Sequence, residues 1–225
     1  MKKQEWEAAL QQKLIEMRQY EEGLYAKGIV AVAGVDEVGR GPLAGPVMAA
    51  AVVLPRDFSV TGIDDSKKLS EKKREYYFPV IKEHAMAYGI GTVGNERIDE
   101  INILEATKEA MALAVNAAEE MLERDHGIRI GHILVDAITI QAAGFPQTAI
   151  IKGDSKSVSI AAASILAKVT RDRMMKDMAG LYPGYGFERN KGYGTKEHYA
   201  GIEAHGACPI HRATFLKNRA AGRLD

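Results

Sequence analysis

The chain has 225 residues, of which 30 are Lys or Arg and 30 are Asp or Glu, so its formal net charge is zero. With 46% hydrophobic residues it has the composition of an ordinary globular protein, large enough to bury a sizeable core in one domain or two small ones. The longest purely apolar run, residues 47–54, is too short to span a bilayer, and the single cysteine, Cys208, excludes a disulfide framework, so we expect a cytoplasmic protein with no membrane partner.

The first predicted element is an amphipathic helix over residues 4–26. Its apolar positions recur every three or four residues, which is the spacing of one helix face. They are Trp6, Leu10, Leu14 and Met17. We interpret residues 1–27 as an N-terminal helical extension that packs on a main domain over residues 28–225.

Strands dominate the next part of the chain. A buried strand over residues 29–35 ends at Asp36 and Glu37, and a turn rich in Gly and Pro leads to a second strand over residues 47–54. The elements that follow are a helix over 70–84 with Ser70 as its N-cap, a strand over 86–93, a helix over 97–124, short strands over 133–135 and 148–151, a helix over 155–178, and two shorter helices after residue 195. Three early strands followed by alternating helix and strand predict an α/β fold built on one mixed sheet.

Acidic residues close three of the predicted apolar strands: Asp36 with Glu37, Asp136, and Asp154. In open α/β sheets the carboxyl ends of the strands form the ligand crevice. Carboxylates gathered there repel one another unless a cation lies between them, and hard oxygen ligands favour Mg²⁺ or Mn²⁺. Two such ions about 4 Å apart activate a water and stabilise the leaving oxygen in phosphodiester hydrolysis.

Each of these acids also has a purely structural interpretation. Asp154 precedes a long helix and taken alone is better explained as its N-cap, while Asp136 taken alone is explained by a hydrogen bond to a loop. Asp36 and Glu37 point to opposite faces of a regular strand, so both serve one site only if the backbone leaves regular geometry there. The Gly39-Arg40-Gly41-Pro42 turn provides that freedom.

The zero net charge is an average over two unlike parts of the chain. Residues 152–225 hold 13 Lys or Arg and 7 Asp or Glu, a net charge of +6, and residues 1–151 therefore carry −6. Such asymmetry is a hint of a polyanion-binding surface, although on these numbers alone solvated helix faces are the favoured explanation. An acidic half that holds metals and a basic half that holds a polyanion would account for both observations.

The run AGVDEVGRGPLAGPV, over residues 33–47, resembles the signature of the bacterial ribonuclease HII family, the type 2 ribonucleases H. Further segments match the family in the expected order, and the resemblance covers about residues 28–215. They are DDSKKL at 64–69, VDA at 135–137, KGDSKS at 152–157, ASILAKVTRD at 163–172, KGYGTKEH at 191–198 and HRATF at 211–215.

The resemblance implies a ribonuclease H-like fold: a five-stranded mixed sheet flanked by helices, with a C-terminal helical segment. It implies an endonuclease that cuts the RNA strand of RNA–DNA hybrids and nicks duplex DNA 5′ of a single embedded ribonucleotide. By the same resemblance Asp36, Glu37, Asp136 and Asp154 are catalytic and hold two Mn²⁺ or Mg²⁺ ions. A water activated by the metal attacks the phosphate in line and leaves a 3′-hydroxyl and a 5′-phosphate.

The family also supplies expected substrate contacts. The loop of Gly39, Arg40 and Gly41 contacts the ribose, whose 2′-hydroxyl can be read by a backbone that approaches closely, and the flanking phosphates. Tyr193 matches the tyrosine that packs on the sugar of the next nucleotide, although the bare sequence favours an ordinary core or surface tyrosine.

Three more residues match family positions that are suited to phosphate. Lys67 and Lys168 supply point charges and Ser164 a neutral hydrogen bond. Ser164 and Lys168 are four residues apart and so share a helix face, where a core-facing serine beside an exposed lysine is the structural alternative.

Other chemistry is less well supported by the sequence. His198, His205 and His211 match no zinc-binding spacing and are interpreted as ordinary surface or loop histidines, and Cys208 as an inert thiol. Three rivals stay open: a ribonuclease HIII-like hybrid nuclease, a non-catalytic hybrid-binding domain, and a DNA-only nuclease of the same fold. Nothing in the sequence asks for more than a monomer.

Overall fold

The structure, a computed structural model, describes residues 3–140 and 144–220. The predicted domains, 1–27 and 28–225, therefore include a few residues that lie outside the described ones. The strands are β1 (Val32–Val38), β2 (Val47–Val53), β3 (Ala87–Val93), β4 (His132–Asp136) and β5 (Gln147–Ile150). The helices are α1 (Lys3–Met17), α2 (Gln19–Tyr25), α3 (Glu71–His84), α4 (Asn95–His126), α5 (Val158–Leu181), α6 (Phe187–Asn190), α7 (Lys196–His205) and α8 (Ala213–Ala220).

The five strands form one mixed sheet, which confirms the predicted architecture. Their order across the sheet is β3-β2-β1-β4-β5. β1 pairs antiparallel with β2, and β2 with β3, whereas β1 and β4 are parallel, as are β4 and β5. The three early strands thus form a meander, and the two later strands extend the sheet on its other side.

One long helix covers each face of the sheet. α4 packs on one face and encloses a core of alternate strand residues such as Ala33 and Val35, while α5 covers the other face. Glycines permit the close approach of both helices. A Cβ on Gly34 would lie 2.1 Å from the backbone carbon of Ser159, and one on Gly91 would lie 1.9 Å from the Ala110 carbonyl oxygen. Neither position accepts a side chain without moving a helix.

The segment predicted as one helix over residues 97–124 contains a break. Asn102 has φ 71° and ψ 165°, which interrupts the helical path within α4. Its side-chain oxygen accepts hydrogen bonds from the backbone N–H groups of Leu104 and Glu105 at 2.9 and 3.2 Å, so Asn102 caps the longer second part. Asn followed three residues later by Glu is a helix-start signal that the apolar periodicity concealed.

The N-terminal segment forms two helices rather than the single helix predicted over residues 4–26, because the helical path is interrupted at Arg18. The apolar stripe is only partly used. Leu14 and Met17 are buried in the core beneath α5, whereas the Trp6 side chain is 49% exposed. The segment therefore packs on the main domain through its C-terminal half.

No helix among the described residues combines the length and apolarity needed to cross a membrane.

Candidate active site

The carboxylates of the two central parallel strands come together at one end of the sheet. Val35 of β1 lies opposite Val135 of β4, so Asp36 and Asp136 follow at neighbouring positions on adjacent strands. Asp36 is almost fully buried, and the backbone of Ala137 just beyond Asp136 has a left-handed φ of 58°. That conformation is strained for alanine, and such strain is found most often at functional sites.

Asp36 and Glu37 both line one cleft, although β1 keeps its regular pairing with β2 as far as Val38. The expectation that the backbone must leave regular geometry is therefore wrong. The parallel pairing of β1 with β4 ends at Val35, so the last part of β1 has a partner on one side only. Beyond that point the edge of β1 that pairs with β4 is free, and both carboxylates reach the cleft without a change in the pairing with β2.

A backbone hydrogen bond links the third acid to the fourth. Asp136 Oδ1 accepts from the N–H of Gly153 at 2.7 Å, and Asp154 is the next residue. Lys152 holds a left-handed φ of 58°, which turns the chain into a short 3₁₀ segment, Gly153–Ser155. The cap of α5 is instead Ser157, whose hydroxyl accepts from Ile160 N, so the N-cap interpretation of Asp154 does not hold.

Burial and the repulsion between neighbouring carboxylates raise the pKa values of Asp36, Glu37 and Asp154. Burial, with the charges of Glu37 and Asp136, raises the pKa of Asp36 well above its usual range. Burial and Asp136 also raise the pKa of Glu37 against the opposing effect of Arg40, whose guanidinium lies 3.4 Å from Glu37 Oε1.

Asp154 is part of the same electrostatic cluster. Its pKa is raised by burial and by the charges of Asp65 and Asp136. Lys67 Nζ lies 4.0 Å from Asp154 Oδ2. Burial lowers the pKa of Lys67, but Asp36 and Asp154 outweigh that effect, so it is raised overall.

The donor set fits a hard divalent cation, since it consists of carboxylate oxygens that repel one another. Among residues 3–140 and 144–220, however, no three Asp, Glu, His or Cys side chains stand together as a finished ligand set. The fit therefore rests on the chemistry of the donors and on their crowding. A cation between them would relieve the repulsion that raises the pKa of Asp36, Glu37 and Asp154.

The cleft beside these acids has a volume of about 250 Å³. Its lining combines the first two acids with the loop Gly39–Gly41, called the glycine loop below, two lysines and a tyrosine. The lining residues are Asp36, Glu37, Val38, Gly39, Arg40, Gly41, Ser66, Lys67, Lys168 and Tyr193. The structure thus brings six of the seven predicted substrate contacts to the two acids of β1. A hollow of about 570 Å³ along α4 is larger, but none of the predicted site residues lines it.

Ser164 is the predicted contact that does not line the cleft. Its side chain is buried, and its hydroxyl donates to Ser66 Oγ at 2.7 Å. A hydrogen bond from Ser164 also opposes the rise in the pKa of Asp36. In this structure Ser164 forms hydrogen bonds with Ser66 and Asp36. Its contact with phosphate stays a prediction.

Gly41 and Tyr193 are neighbours in the lining of the cleft. A Cβ placed on Gly41 would lie 3.6 Å from Tyr193 Cε1, an ordinary contact distance. Gly39 has φ +91°, and a Cβ there would lie 2.2 Å from Arg171 Nε. The ring of Tyr193 is exposed, so it is available to a ligand.

Two buried arginines, Arg171 and Arg212, bind backbone carbonyl groups of the loops around the cleft, and the sequence did not predict this role. Arg171 donates to the carbonyl oxygens of Pro46, Ala44 and Lys191, at 2.9–3.1 Å. Burial lowers its pKa to about 10 and that of Arg212 to about 9. Both residues lie within segments that resemble the family, but a sequence does not show that a guanidinium is buried among carbonyl groups.

The interpretation of the histidines as surface or loop residues is wrong for His198 and His211, both of which are buried. Their Nε2 atoms are 3.0 Å apart, and they pack against the rings of Tyr185 and Phe187. The prediction failed because single histidines in a glycine-rich segment carry no periodic signal of burial. His205 is exposed, as expected.

Solved structures with a similar fold include ribonucleases H. The ribonuclease H2 of Pyrococcus horikoshii OT3 superposes with a TM-score of 0.66 and 30% identity over 84% of this chain and 96% of its own. Bst-RNase HIII in complex with Mn²⁺ shares the fold at a TM-score of 0.61 and 21% identity, over 86% and 70% of the two chains. The fold is ribonuclease H-like, as predicted.

The sequence comparisons are more specific. The Ribonuclease HII family profile matches residues 33–218, and the ribonuclease HII of Bacillus mycoides is 55% identical over 204 residues, 91% of this chain and 76% of its own. That of Listeria innocua is 54% identical over 214 residues, 95% and 78% of the two chains. The chain belongs to the ribonuclease HII family, and its activity is that of a ribonuclease H, a nuclease that hydrolyses RNA in RNA–DNA hybrids.

Proposed function

We propose that this ribonuclease cuts the RNA strand of hybrids and also nicks duplex DNA on the 5′ side of a single embedded ribonucleotide. The observation that carries the proposal is the cleft, in which Gly41 faces the Tyr193 ring beside the Asp36 and Glu37 carboxylates. Exposed backbone next to an aromatic ring suits the binding of one sugar beside the next. Asp36 and Glu37 line the same cleft, and we infer that the bond to be cut lies beside them.

The glycine loop is proposed to read the 2′-hydroxyl of the ribose. Gly41 leaves one side of the cleft without a side chain, so backbone groups can approach the sugar closely. Arg40 is exposed and paired only loosely with Glu37, at 3.4 Å, and is free to turn toward a flanking phosphate. Tyr193 would pack on the following deoxyribose, where a 2′-hydroxyl would be in the way.

Asp36, Glu37, Asp136 and Asp154 are proposed to hold two Mg²⁺ or Mn²⁺ ions. When bound, such ions lower the pKa of a water and stabilise the oxygen that leaves. The protein's own contribution is orientation, since the Gly153 N–H fixes one oxygen of Asp136 at 2.7 Å and the same turn places Asp154 beside it. The expected products carry a 3′-hydroxyl and a 5′-phosphate.

Lys67 and Lys168 are proposed as the phosphate contacts. Lys67 is exposed at the rim, next to the Asp154 carboxylate, whereas Lys168 is held by Asp172 at 2.8 Å. Both residues line the cleft, and a lysine ammonium group is a point charge that positions a nucleic-acid backbone without reading its sequence.

A nicking assay tests the proposal. The full chain, with Mg²⁺ or Mn²⁺, is incubated with a DNA duplex that contains one ribonucleotide, with the same duplex lacking it, and with a uniform RNA–DNA hybrid. We expect one nick 5′ of the ribonucleotide, cleavage of the hybrid, and no cleavage of the all-DNA duplex. Equal cleavage of the all-DNA duplex contradicts the proposal and favours a DNA-only nuclease; cleavage of the hybrid alone favours a ribonuclease HIII-like activity.

The Asp36→Asn variant separates catalysis from binding in the same assay. We expect cleavage to fall at least about a hundredfold, while the melting temperature stays the same or rises because a buried charge is removed. Unchanged cleavage by Asp36→Asn would exclude Asp36 from the catalytic set.

A further inference from the structure

Arg212 and His211 are adjacent in the chain and reach two neighbouring parts of the cleft lining, the Gly39–Gly41 loop and Tyr193. Arg212 is fully buried and donates to three carbonyl oxygens: to Gly39 at 2.6 Å, to Arg40 at 2.9 Å, and to Gly45 at 2.8 and 3.0 Å. Two of these carbonyls belong to the loop that faces the ribose. The guanidinium is therefore a rigid fork that fixes the backbone of this loop.

His211 reaches Tyr193 through a second histidine. His198 Nδ1 lies 3.0 Å from the Tyr193 carbonyl oxygen, which can only accept, so Nδ1 carries the proton and Nε2 is an acceptor. His211 Nε2 therefore donates to it across 3.0 Å, which leaves Nδ1 of the neutral ring as an acceptor. This Nδ1 accepts from the Cys208 N–H at 2.9 Å, with the Cys208 carbonyl oxygen 3.2 Å away. These partners give the series of hydrogen bonds one direction: Cys208 donates to His211, His211 to His198, and His198 to the Tyr193 carbonyl.

Backbone hydrogen bonds join these two parts of the lining to the same segment. The Arg212 N–H donates to the Leu43 carbonyl and the Leu43 N–H to the Gly192 carbonyl, each at 2.8 Å. The Gly45 N–H donates to Ile210 at the same distance. Gly192 has φ +86° and directly precedes Tyr193, so a shift of residues 210–212 is transmitted both to the Gly39–Gly41 loop and to Tyr193.

We propose that His211 and Arg212 are positioning residues that set the position of the Gly39–Gly41 loop relative to the Tyr193 ring. The assignment rests on the proposed function, in which the loop and the ring together recognise a ribonucleotide followed by a deoxyribonucleotide. Neither side chain lines the cleft, so both act through the groups they hold. Cleavage at an RNA–DNA junction is affected most, because only that substrate requires the Gly39–Gly41 loop and the Tyr193 ring in the correct relative position.

Two substitutions at position 211 provide a matched test. A Gln amide nitrogen reaches about the position of imidazole Nε2 and can still donate to His198, whereas Asn mimics the Nδ1 side and cannot. The measurement is the ratio of kcat/KM on the single-ribonucleotide duplex to kcat/KM on the uniform hybrid. Because both substrates are cut by one preparation, the ratio is independent of the fraction that is folded.

We expect His211→Asn to lower this ratio about tenfold and His211→Gln to restore most of it, since one positioning hydrogen bond is at stake. In a Tyr193→Ala background His211→Asn should change the ratio no further, because the group it positions is gone. Arg212→Lys, which replaces the fork by a point charge, should lower the ratio in both backgrounds. His205→Asn, an exposed histidine that also touches Tyr185, is the control and should leave the ratio unchanged.

The outcomes separate this assignment from the proposed function. A wild-type enzyme that cuts the hybrid but does not nick at a single ribonucleotide overturns both. If the wild type nicks as expected but the Asn and Gln variants have equal ratios, His211 has no positioning role. An additive effect of His211→Asn and Tyr193→Ala likewise excludes the route through Tyr193, and an unchanged ratio for Arg212→Lys excludes Arg212.

Discussion

Gly39 and Gly41 lie two residues apart in the loop that faces the Tyr193 ring, and each is glycine for a different reason. Gly39 is buried with φ +91°, and its Cα faces the guanidinium of Arg171. Gly41 is exposed without a positive φ, and a Cβ there meets the Tyr193 ring only at ordinary contact distance. The first glycine serves the fold, and the second leaves room for a ligand.

Alanine substitutions should separate these two roles. Gly39→Ala should lower the free energy of unfolding by about 2 kcal/mol or more, because it combines backbone strain with a contact at 2.2 Å to Arg171. Gly41→Ala should change it by less than about 0.5 kcal/mol. Denaturant unfolding of the two variants and the wild type is the measurement.

Gly41→Ala should affect catalysis rather than stability. Gly41→Ala should lower kcat/KM on the single-ribonucleotide duplex about tenfold, because its methyl group occupies the space offered to the sugar. A Gly41→Ala enzyme that nicks as fast as the wild type would remove this loop position from ribose recognition.

The position of the four acids near one end of the sheet could be predicted from the sequence because each follows an apolar strand, and the ends of neighbouring strands meet in space; their role in metal binding stays a prediction. The residues that orient the site could not. Arg171, Arg212 and His198 act by hydrogen bonds to backbone carbonyls, and such bonds depend on the packing of distant segments. Their side-chain types alone predict exposed cations and an exposed imidazole.

At the scale of whole elements, a buried carboxylate of α2 binds the start of α5. Glu21 Oε1 accepts from the hydroxyls of Ser157 and Ser159, both at 2.6 Å, and from the Ser159 N–H at 3.1 Å. Within the described residues Glu21 Oε2 is buried without a hydrogen-bond partner. The carboxylate also lies at the N-terminus of α5, where a negative charge is favoured by the helix dipole.

Removal of this carboxylate should loosen the N-terminal segment. Glu21→Ala should lower the free energy of unfolding by about 2 kcal/mol, because it leaves two buried serine hydroxyls without their acceptor. Glu22→Ala is the control: Glu22 is half exposed and pairs with Arg18 at 2.6 Å, so a loss below about 0.5 kcal/mol is expected. Equal losses for the two variants would show that Glu21 does not anchor α2.

The histidine pair between α7 and the segment before α8 should make stability depend on pH. Burial lowers the pKa of both His198 and His211 below the ordinary value of about 6.5. The unfolded chain therefore binds more protons just below that pH, and stability is lost as the pH falls through 6.5. The facing groups from other elements are Tyr185, Phe187 and Cys208, which stay neutral in this range.

The predicted result is a steeper fall in the free energy of unfolding between pH 6.5 and 5 for the wild type than for His211→Gln. The difference between the two proteins is the quantity to measure, because Asp36, Glu37 and Asp154 titrate in both. Their raised pKa values have the opposite sign and add stability as the pH falls. Parallel curves for the two proteins would show that His211 is not held neutral by the fold.

Elements with a periodic apolar face were predicted well, since burial of that face determines the helix or strand. Their interruptions were not. The break at Asn102 follows from a side chain that caps from within the helix. The interruption at Arg18 is slight, since its φ and ψ stay in the helical region, and its guanidinium donates to the Phe58 carbonyl at 3.2 Å. Neither contact alters the apolar spacing on which the prediction depended.

At the scale of the whole molecule, the division into an acidic and a basic half is not a division of the surface. Lys176 of the basic half pairs with Glu71 of the acidic half at 2.6 Å, and Arg173 pairs with Glu75 at 2.5 Å. Of the three cations that line the cleft, Arg40 and Lys67 come from the acidic half and only Lys168 from the basic one. Positive charge at the cleft is thus assembled by folding rather than inherited from one part of the sequence.

These cleft cations lead to a prediction for the salt dependence of nucleic-acid binding. Each phosphate contact releases condensed counterions, so log K falls with log salt by about 0.9 per contact on duplex DNA. Lys67→Gln and Lys168→Gln should each weaken binding at low salt and reduce the slope by about one. Binding of a ribonucleotide-containing duplex is measured without divalent ions, so that cleavage does not intervene.

Lys176→Gln is the matched control for Lys168→Gln. Both lysines belong to α5 and both pair with a carboxylate, but Lys176 pairs with Glu71 and does not line the cleft. The control should therefore leave the slope unchanged, while a general effect of net charge would lower it equally in all three variants. An equal change in Lys176→Gln would mean that the bound duplex senses the charge of the molecule as a whole, and Lys67 and Lys168 would lose their assignment as phosphate contacts.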